Sequence, residues 1–114
     1  MKFKTQIRDN ALIIHVVDTV FDVVGVKEFK RDVFIAIGDG ETKFQHILID
    51  MKNVKMVDST GLGGLLFAKR QADLREGKLF LIDPQPRIKS LIRVSKLEGI
   101  FQIVESEEEA FKAF

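Results

Sequence analysis

The chain of 114 residues contains no cysteine, tyrosine or tryptophan and only two prolines. Without cysteine there is no disulfide, no thiolate nucleophile and no Cys-type zinc site. No apolar run approaches the roughly 18 residues that a bilayer span requires, so no transmembrane helix is expected. Met1-Lys2-Phe3-Lys4 lacks the apolar segment of a signal peptide, which predicts a cytoplasmic protein. Charge of one sign does not dominate, since 18 basic and 17 acidic residues leave a net charge of +1. That balance argues against a dedicated nucleic-acid binder, which shows a basic excess or stripe. The ten aromatic residues are all phenylalanine, so they read as core material rather than amphipathic binding groups.

What is present suits one domain over residues 1–114, with 46% hydrophobic and 31% charged residues. Lys2 to Ile7 alternates, with Phe3, Thr5 and Ile7 on one side, and predicts a strand. Asp9-Asn10 is a turn signal before a second strand, Ala11 to Val17, so the chain opens with a hairpin. Apolar residues at Val26, Phe29, Val33, Ala36 and Ile37 have helical spacing, and Gly38-Asp39-Gly40 ends that helix. Ile47-Leu48-Ile49 with Met51 is the continuous apolar run of a buried central strand. A loop through Asn53 to Thr60 then opens a helix ending near Glu76-Gly77, and Leu79 to Ile82 is another buried strand. Asp83-Pro84-Gln85-Pro86 turns into a helix with Ile88, Leu91 and Ile92 on one face. Gly99 precedes a last strand, Ile100 to Val104. Ser106-Glu107-Glu108-Glu109 is a capping box for a terminal helix through Phe111 and Phe114.

The order ββαβαβαβα predicts an α/β domain. Its mixed sheet has about five strands and a leading hairpin, with four helices mainly on one side. Sites on such sheets gather beyond the carboxyl ends of strands. Asp18 to Asp22 and Asn53 to Thr60 both lie in strand-to-helix loops and are expected to face each other there.

Enzyme signatures are weak. Gly61-Leu62-Gly63-Gly64-Leu65-Leu66 begins like a dinucleotide fingerprint, but Leu66 replaces its third glycine. No phosphate-binding Gly-Lys-Ser/Thr triplet follows, and Ser59 is not in a Gly-x-Ser-x-Gly elbow. His15 and His46 read as ordinary strand residues, with a two-histidine metal site including Asp50 or Asp58 as the alternative. No nucleophile–base pair is visible. The expectation is a protein that is not an enzyme and has no cofactor or metal of its own.

The informative stretch is Val57-Asp58-Ser59-Thr60-Gly61-Leu62-Gly63-Gly64-Leu65-Leu66. Asp, Ser and Thr cap helix N-termini because their side-chain oxygens accept from the free amides of the first turn. The same amides and the helix dipole suit a phosphate. Ser59 or Thr60 is therefore either a cap or a phosphoryl acceptor. Gly61, Gly63 and Gly64 each disfavour the helix by about 1 kcal/mol relative to alanine. They imply close approach of a partner or of a neighbouring element. Along the helix Leu62, Leu65, Leu66 and Ala72 form one apolar face, which should pack on the sheet. Phe67 and Leu74 lie over another, beside Gly63 and Arg70. That second face is either covered by a neighbouring helix or left as a partner surface.

Asp58-Ser59-Thr60-Gly61-Leu62-Gly63, placed after a buried strand and opening a helix, resembles the signature loop of STAS domains. More narrowly it is similar to the bacterial anti-anti-sigma factors, or anti-sigma factor antagonists. The resemblance covers nearly the whole chain. It implies a non-catalytic phospho-switch in which the hydroxyl after the Asp, here Ser59, is phosphorylated by an anti-sigma factor. That factor is a serine kinase of histidine-kinase-like ATPase fold. The unphosphorylated form would bind it and release a sigma factor. A PP2C-type phosphatase is a further implied partner, and direct nucleic-acid contact is not implied. Asp22, with Asp18 as the alternative, matches the family's Asp in the preceding loop. Here that loop lacks the family's glycine and reads Asp18-Thr19-Val20-Phe21-Asp22. The partner surface expected from these residues is Asp22, Asp58, Thr60, Gly61, Leu62, Gly63, Phe67, Arg70 and Leu74. Other STAS roles form the alternatives: a subunit of a lipid-transport or stress-signalling assembly, or a nucleotide- or lipid-binding module.

Overall fold

The computed structural model describes residues 3–17, 19–37 and 44–114. Asp18 and the Gly38-Asp39-Gly40 stop signal lie outside the described residues. The main sheet has five strands: β1 (Phe3–Arg8), β2 (Ala11–Val16), β4 (His46–Asp50), β6 (Leu79–Ile82) and β7 (Gln102–Val104). Their spatial order is β1-β2-β4-β6-β7. β1 runs antiparallel to β2, and every later pairing is parallel. The hairpin turn is Asp9-Asn10, both with positive φ (48° and 70°). Those angles match the right-handed twist of the two strands it joins.

Four helices accompany the sheet: α1 (Val23–Ile37), α2 (Ser59–Asp73), α3 (Pro86–Val94) and α4 (Glu107–Lys112). The first three cover one face. There Val26, Phe29 and Val33 of α1, Leu65, Ala68 and Ala72 of α2, and Ile88 and Ile92 of α3 meet the strands in one core. The opposite face carries only α4 among the described residues, through Ala110 and Phe111 against Ile13, Leu48 and Phe80. β4 and β6, covered on both faces, are buried along their whole length. This is why their sequences read as unbroken apolar runs.

Two elements were not expected. β3 (Val20–Phe21) and β5 (Met56–Val57) pair in parallel as a separate small sheet. Each is two residues long, too short for a periodic signal. Several boundaries also differ: α2 ends at Asp73 instead of near Glu76-Gly77, and α4 at Lys112 instead of Phe114. α1 starts at Val23, before the first periodic residue Val26, because Asp22 caps it. β7 starts at Gln102 instead of Ile100, because the Ile100 and Phe101 amides are held in turn bonds to the Leu97 carbonyl.

Candidate functional site

The small sheet positions the site. Phe21 pairs with Val57, and the next residue on each strand, Asp22 and Asp58, begins a helix. The two expected loops therefore meet side by side. Asp58 is the N-cap of α2: its Oδ1 accepts from the Gly61 amide at 2.7 Å, and its carbonyl accepts from Leu62 at 2.9 Å. Asp22 does the same for α1, its Oδ1 accepting from the Gly25 amide at 3.2 Å and its carbonyl from Val26 at 2.8 Å.

The cap question is thus answered by Asp58, and the adjacent hydroxyls have no structural employment. Ser59 and Thr60 occupy the first two helical positions, both exposed. Among the described residues neither side chain makes a hydrogen bond, and neither backbone amide finds an acceptor. The first turn carries no acidic residue. Two free N–H groups at the positive end of a 15-residue helix thus stand beside two free hydroxyls.

The glycines divide by role. A Cβ on Gly61 would lie 2.1 Å from the Phe21 carbonyl oxygen, so only glycine lets α2 approach β3 this closely. A Cβ on Gly64 would meet the Phe21 ring at 2.9 Å and Val26 at 3.0 Å. Of the two alternatives, a partner or a neighbouring element, Gly61 and Gly64 answer to the second: β3 and α1 already occupy that space. Of these three glycines of α2, Gly63 faces open space, with nothing within 4 Å of its Cβ position.

The apolar faces of α2 need correction. Its buried stripe is Gly61, Gly64, Leu65, Ala68 and Ala72. Leu66, expected on the core face, is exposed, because it lies about 100° around the helix from Leu65. Leu62 is half-buried at the edge of the core. The Phe67 face, for which two outcomes stood open, is partly covered by α1. Phe34 packs edge-on against the Phe67 ring with centroids 5.5 Å apart, and the Lys30 ammonium stands 5.3 Å from that ring. Gly63, Phe67 and Arg70 with Lys30 and Leu66 line a shallow basin of about 280 Å³. Leu74 ends the helix and is exposed. The structure brings Asp22, Asp58, Ser59, Thr60 and Gly61 to one small region, with Gly63, Phe67 and Arg70 along the flank of α2.

The two histidines do not converge. His15 pairs with Asp50 at the far end of β4 from His46. His15 Nδ1 lies 3.0 Å from Asp50 Oδ2. His46 Nδ1 accepts from the Lys78 amide at 3.0 Å, and its ring stacks on Phe114. Burial, and then the nearby Lys78 charge, hold the His46 imidazole below its ordinary value. Among the described residues no group of three His, Cys, Asp or Glu side chains could hold a metal, and no helix is long and apolar enough to cross a membrane.

Comparison with known proteins places this geometry. The STAS domain family model matches residues 2–110. The Anti-sigma F factor antagonist of Paenibacillus polymyxa is 30% identical over 66 residues, 58% of this chain and 56% of that protein. BtrV of Bordetella bronchiseptica, named for an anti-sigma factor antagonist role, is 21% identical over 92% of this chain and 88% of its own. Among solved structures, the anti-sigma factor antagonist SpoIIAA in its unphosphorylated form superposes with a TM-score of 0.80. It is 20% identical, over 98% of this chain and 95% of that one. The phosphorylated form of SpoIIAA from Bacillus gives 0.73, at 21% identity over 98% of each chain. With a family match over almost its whole length and the fold of those structures, this chain belongs to the STAS domain family.

Proposed function

We propose that this chain is an anti-sigma factor antagonist acting as a phospho-switch at Ser59. In its unphosphorylated form the Ser59 end and the flank of α2 dock on an anti-sigma factor that is also a serine kinase of histidine-kinase-like ATPase fold. Docking releases a sigma factor in the cytoplasm. Phosphorylation of Ser59 reverses it, and a PP2C-type phosphatase restores the binding form. ATP belongs to the kinase, and the domain acts by binding rather than catalysis.

One observation carries the reading. Asp58 supplies the helix cap, so the Ser59 hydroxyl is exposed and unpartnered at the start of α2. A residue needed for capping would resist modification, and this one is free for it. A phosphate there adds about −1.5 to −2 charges next to Asp58. The free amides of Ser59 and Thr60 can receive it without unwinding the helix. What changes is the docking surface, through bulk, like-charge repulsion and the need to desolvate the dianion. A penalty of about 2.7 kcal/mol lowers affinity about a hundredfold. Asp22 reinforces the negative field from the adjacent helix start, and Thr60 supports the loop.

The test is a calorimetric titration of the purified anti-sigma serine kinase of the same organism with wild type, Ser59→Ala and Ser59→Glu. Ser59→Ala should bind like unphosphorylated wild type and remain bound in the presence of ATP. Ser59→Glu should bind at least tenfold more weakly. Equal affinities for all three proteins would overturn the switch.

A further inference from the structure

A groove of about 480 Å³ runs between β5 and α3. Lys55, Met56 and Asp58 line one wall, and Arg87, Leu91 and Val94 the other. Its surface is apolar where Met56 is 49% exposed and Val94 80% exposed. Such exposure of two large apolar side chains on facing walls marks a contact surface more than a solvated one.

Three features describe what fits there. The first is charge. Lys55 and Arg87 are exposed at the rim, and among the described residues neither has an ionic partner. The carboxylate beside them, Asp58, is committed to the Gly61 amide. α3 carries Arg87, Lys89 and Arg93 with no acidic residue. Arg87 lies in its first turn, at the positive end of the helix dipole, where a cation is unfavourable. The N-cap residue Gln85 does not relieve this, because its side-chain amide donates to the Lys52 carbonyl at 3.0 Å instead of capping. The uncompensated positive field calls for acidic groups on the occupant.

The second feature is a strand edge. Among the described residues β5 pairs with β3 and with no other strand, and the run Lys55 to Asp58 that contains it lines the groove. An unpaired strand edge accepts an extended segment, with main-chain bonds supplying affinity and side-chain pockets specificity. The third is position. The groove reaches Asp58, so anything seated in it and continuing along β5 arrives at Ser59.

We propose that the groove receives an extended segment of the anti-sigma partner. That segment seats an aliphatic side chain against Met56, Leu91 and Val94 and places acidic neighbours against Lys55 and Arg87. The inference rests on the function proposed above and deepens it. It gives the partner a docking arm on the side of the switch loop away from Phe67, and so a basis for specificity independent of the phosphorylated hydroxyl.

The experiment titrates the purified anti-sigma serine kinase with the full chain as wild type, Val94→Glu and Arg87→Glu. Melting curves check folding, light scattering gives the oligomeric state, and phosphorylation rates are taken across protein concentration. Both variants change exposed residues and should melt like wild type. Each should bind at least tenfold more weakly and raise KM for phosphorylation with kcat retained. The amides of residues 55–58 should gain hydrogen-exchange protection in the wild-type complex. Affinity within twofold of wild type for both variants, with Ser59 still phosphorylated, would overturn the groove and leave the switch standing. A wild-type chain that neither binds the kinase nor accepts phosphate would overturn both. A dimer of the chain alone that Val94→Glu disperses would assign the groove to a second copy and overturn the proposal.

Discussion

At the start of α1 the chain reads Asp22-Val23-Val24-Gly25, and at the start of α2 it reads Asp58-Ser59-Thr60-Gly61. Both helices leave the small β3–β5 sheet, and in both the Asp carboxylate accepts from a glycine amide three residues on, at 3.2 and 2.7 Å. Both first turns lack acidic residues. The pair is a comparison within one molecule. Valines in the first turn of α1 show that this cap motif needs nothing beyond the aspartate and the backbone. The hydroxyls at 59 and 60 are therefore surplus to folding, which is the physical ground for assigning them a function.

The largest expected effect tests how tightly α2 is held. Gly61→Ala places a methyl group against the Phe21 carbonyl, and overpacking against backbone should destabilise the domain by about 3 kcal/mol. Gly63→Ala, with open space at its Cβ, should stabilise it by up to about 1 kcal/mol. Urea midpoints of the two variants that move together would contradict the division of glycine roles.

Phe67→Ala comes next. The ring is half-buried against Phe34, so its loss should cost about 2 kcal/mol, below the about 3–5 of a fully buried phenylalanine. If the α2 flank also meets the partner, affinity should fall by about 1–3 kcal/mol in the same variant. A melting curve and a titration on one preparation separate these terms.

The comparison itself is tested by Asp58→Ala and Asp22→Ala, each expected to cost about 1 kcal/mol. An Asp58 variant as stable as wild type would mean that Ser59 takes over the cap, and the argument from free hydroxyls would fail.

The smallest effect lies away from the switch. The pKa of His46 is lowered in the folded state, chiefly by burial. The unfolded chain then binds a proton that the folded chain resists. Its contribution is fully present above the ordinary value of 6.5 and is lost as pH falls toward the folded value. Protonation would also remove the acceptor that holds the Lys78 amide. His46→Gln should flatten this part of the stability–pH curve, measured by urea midpoints between about pH 5 and 8.

Much of this was legible in the sequence. Ile47 to Ile49 and Leu79 to Ile82 announce central strands because burial on both faces demands unbroken apolar runs. The loop motif was visible because caps use few residue types. β3 and β5 were not visible, since Val20-Phe21 and Met56-Val57 are too short to show a period. The repeated Asp-x-x-Gly at 22–25 and 58–61, each after an apolar pair, is the signal that could have revealed them. The cover over Phe67 depends on where α1 sits, and no spacing within α2 encodes that. Leu66 and Leu65 look alike in sequence, and only the direction of α2 against the sheet separates them.

The central claim is that Asp58 caps and Ser59 receives phosphate. The most direct measurement is mass-spectrometric mapping of the chain after incubation with the purified anti-sigma serine kinase and ATP, alongside Ser59→Ala. The account predicts one phosphate on Ser59 of wild type and none on the variant. Phosphate on Thr60 alone, or an equally modified Ser59→Ala protein, would contradict it.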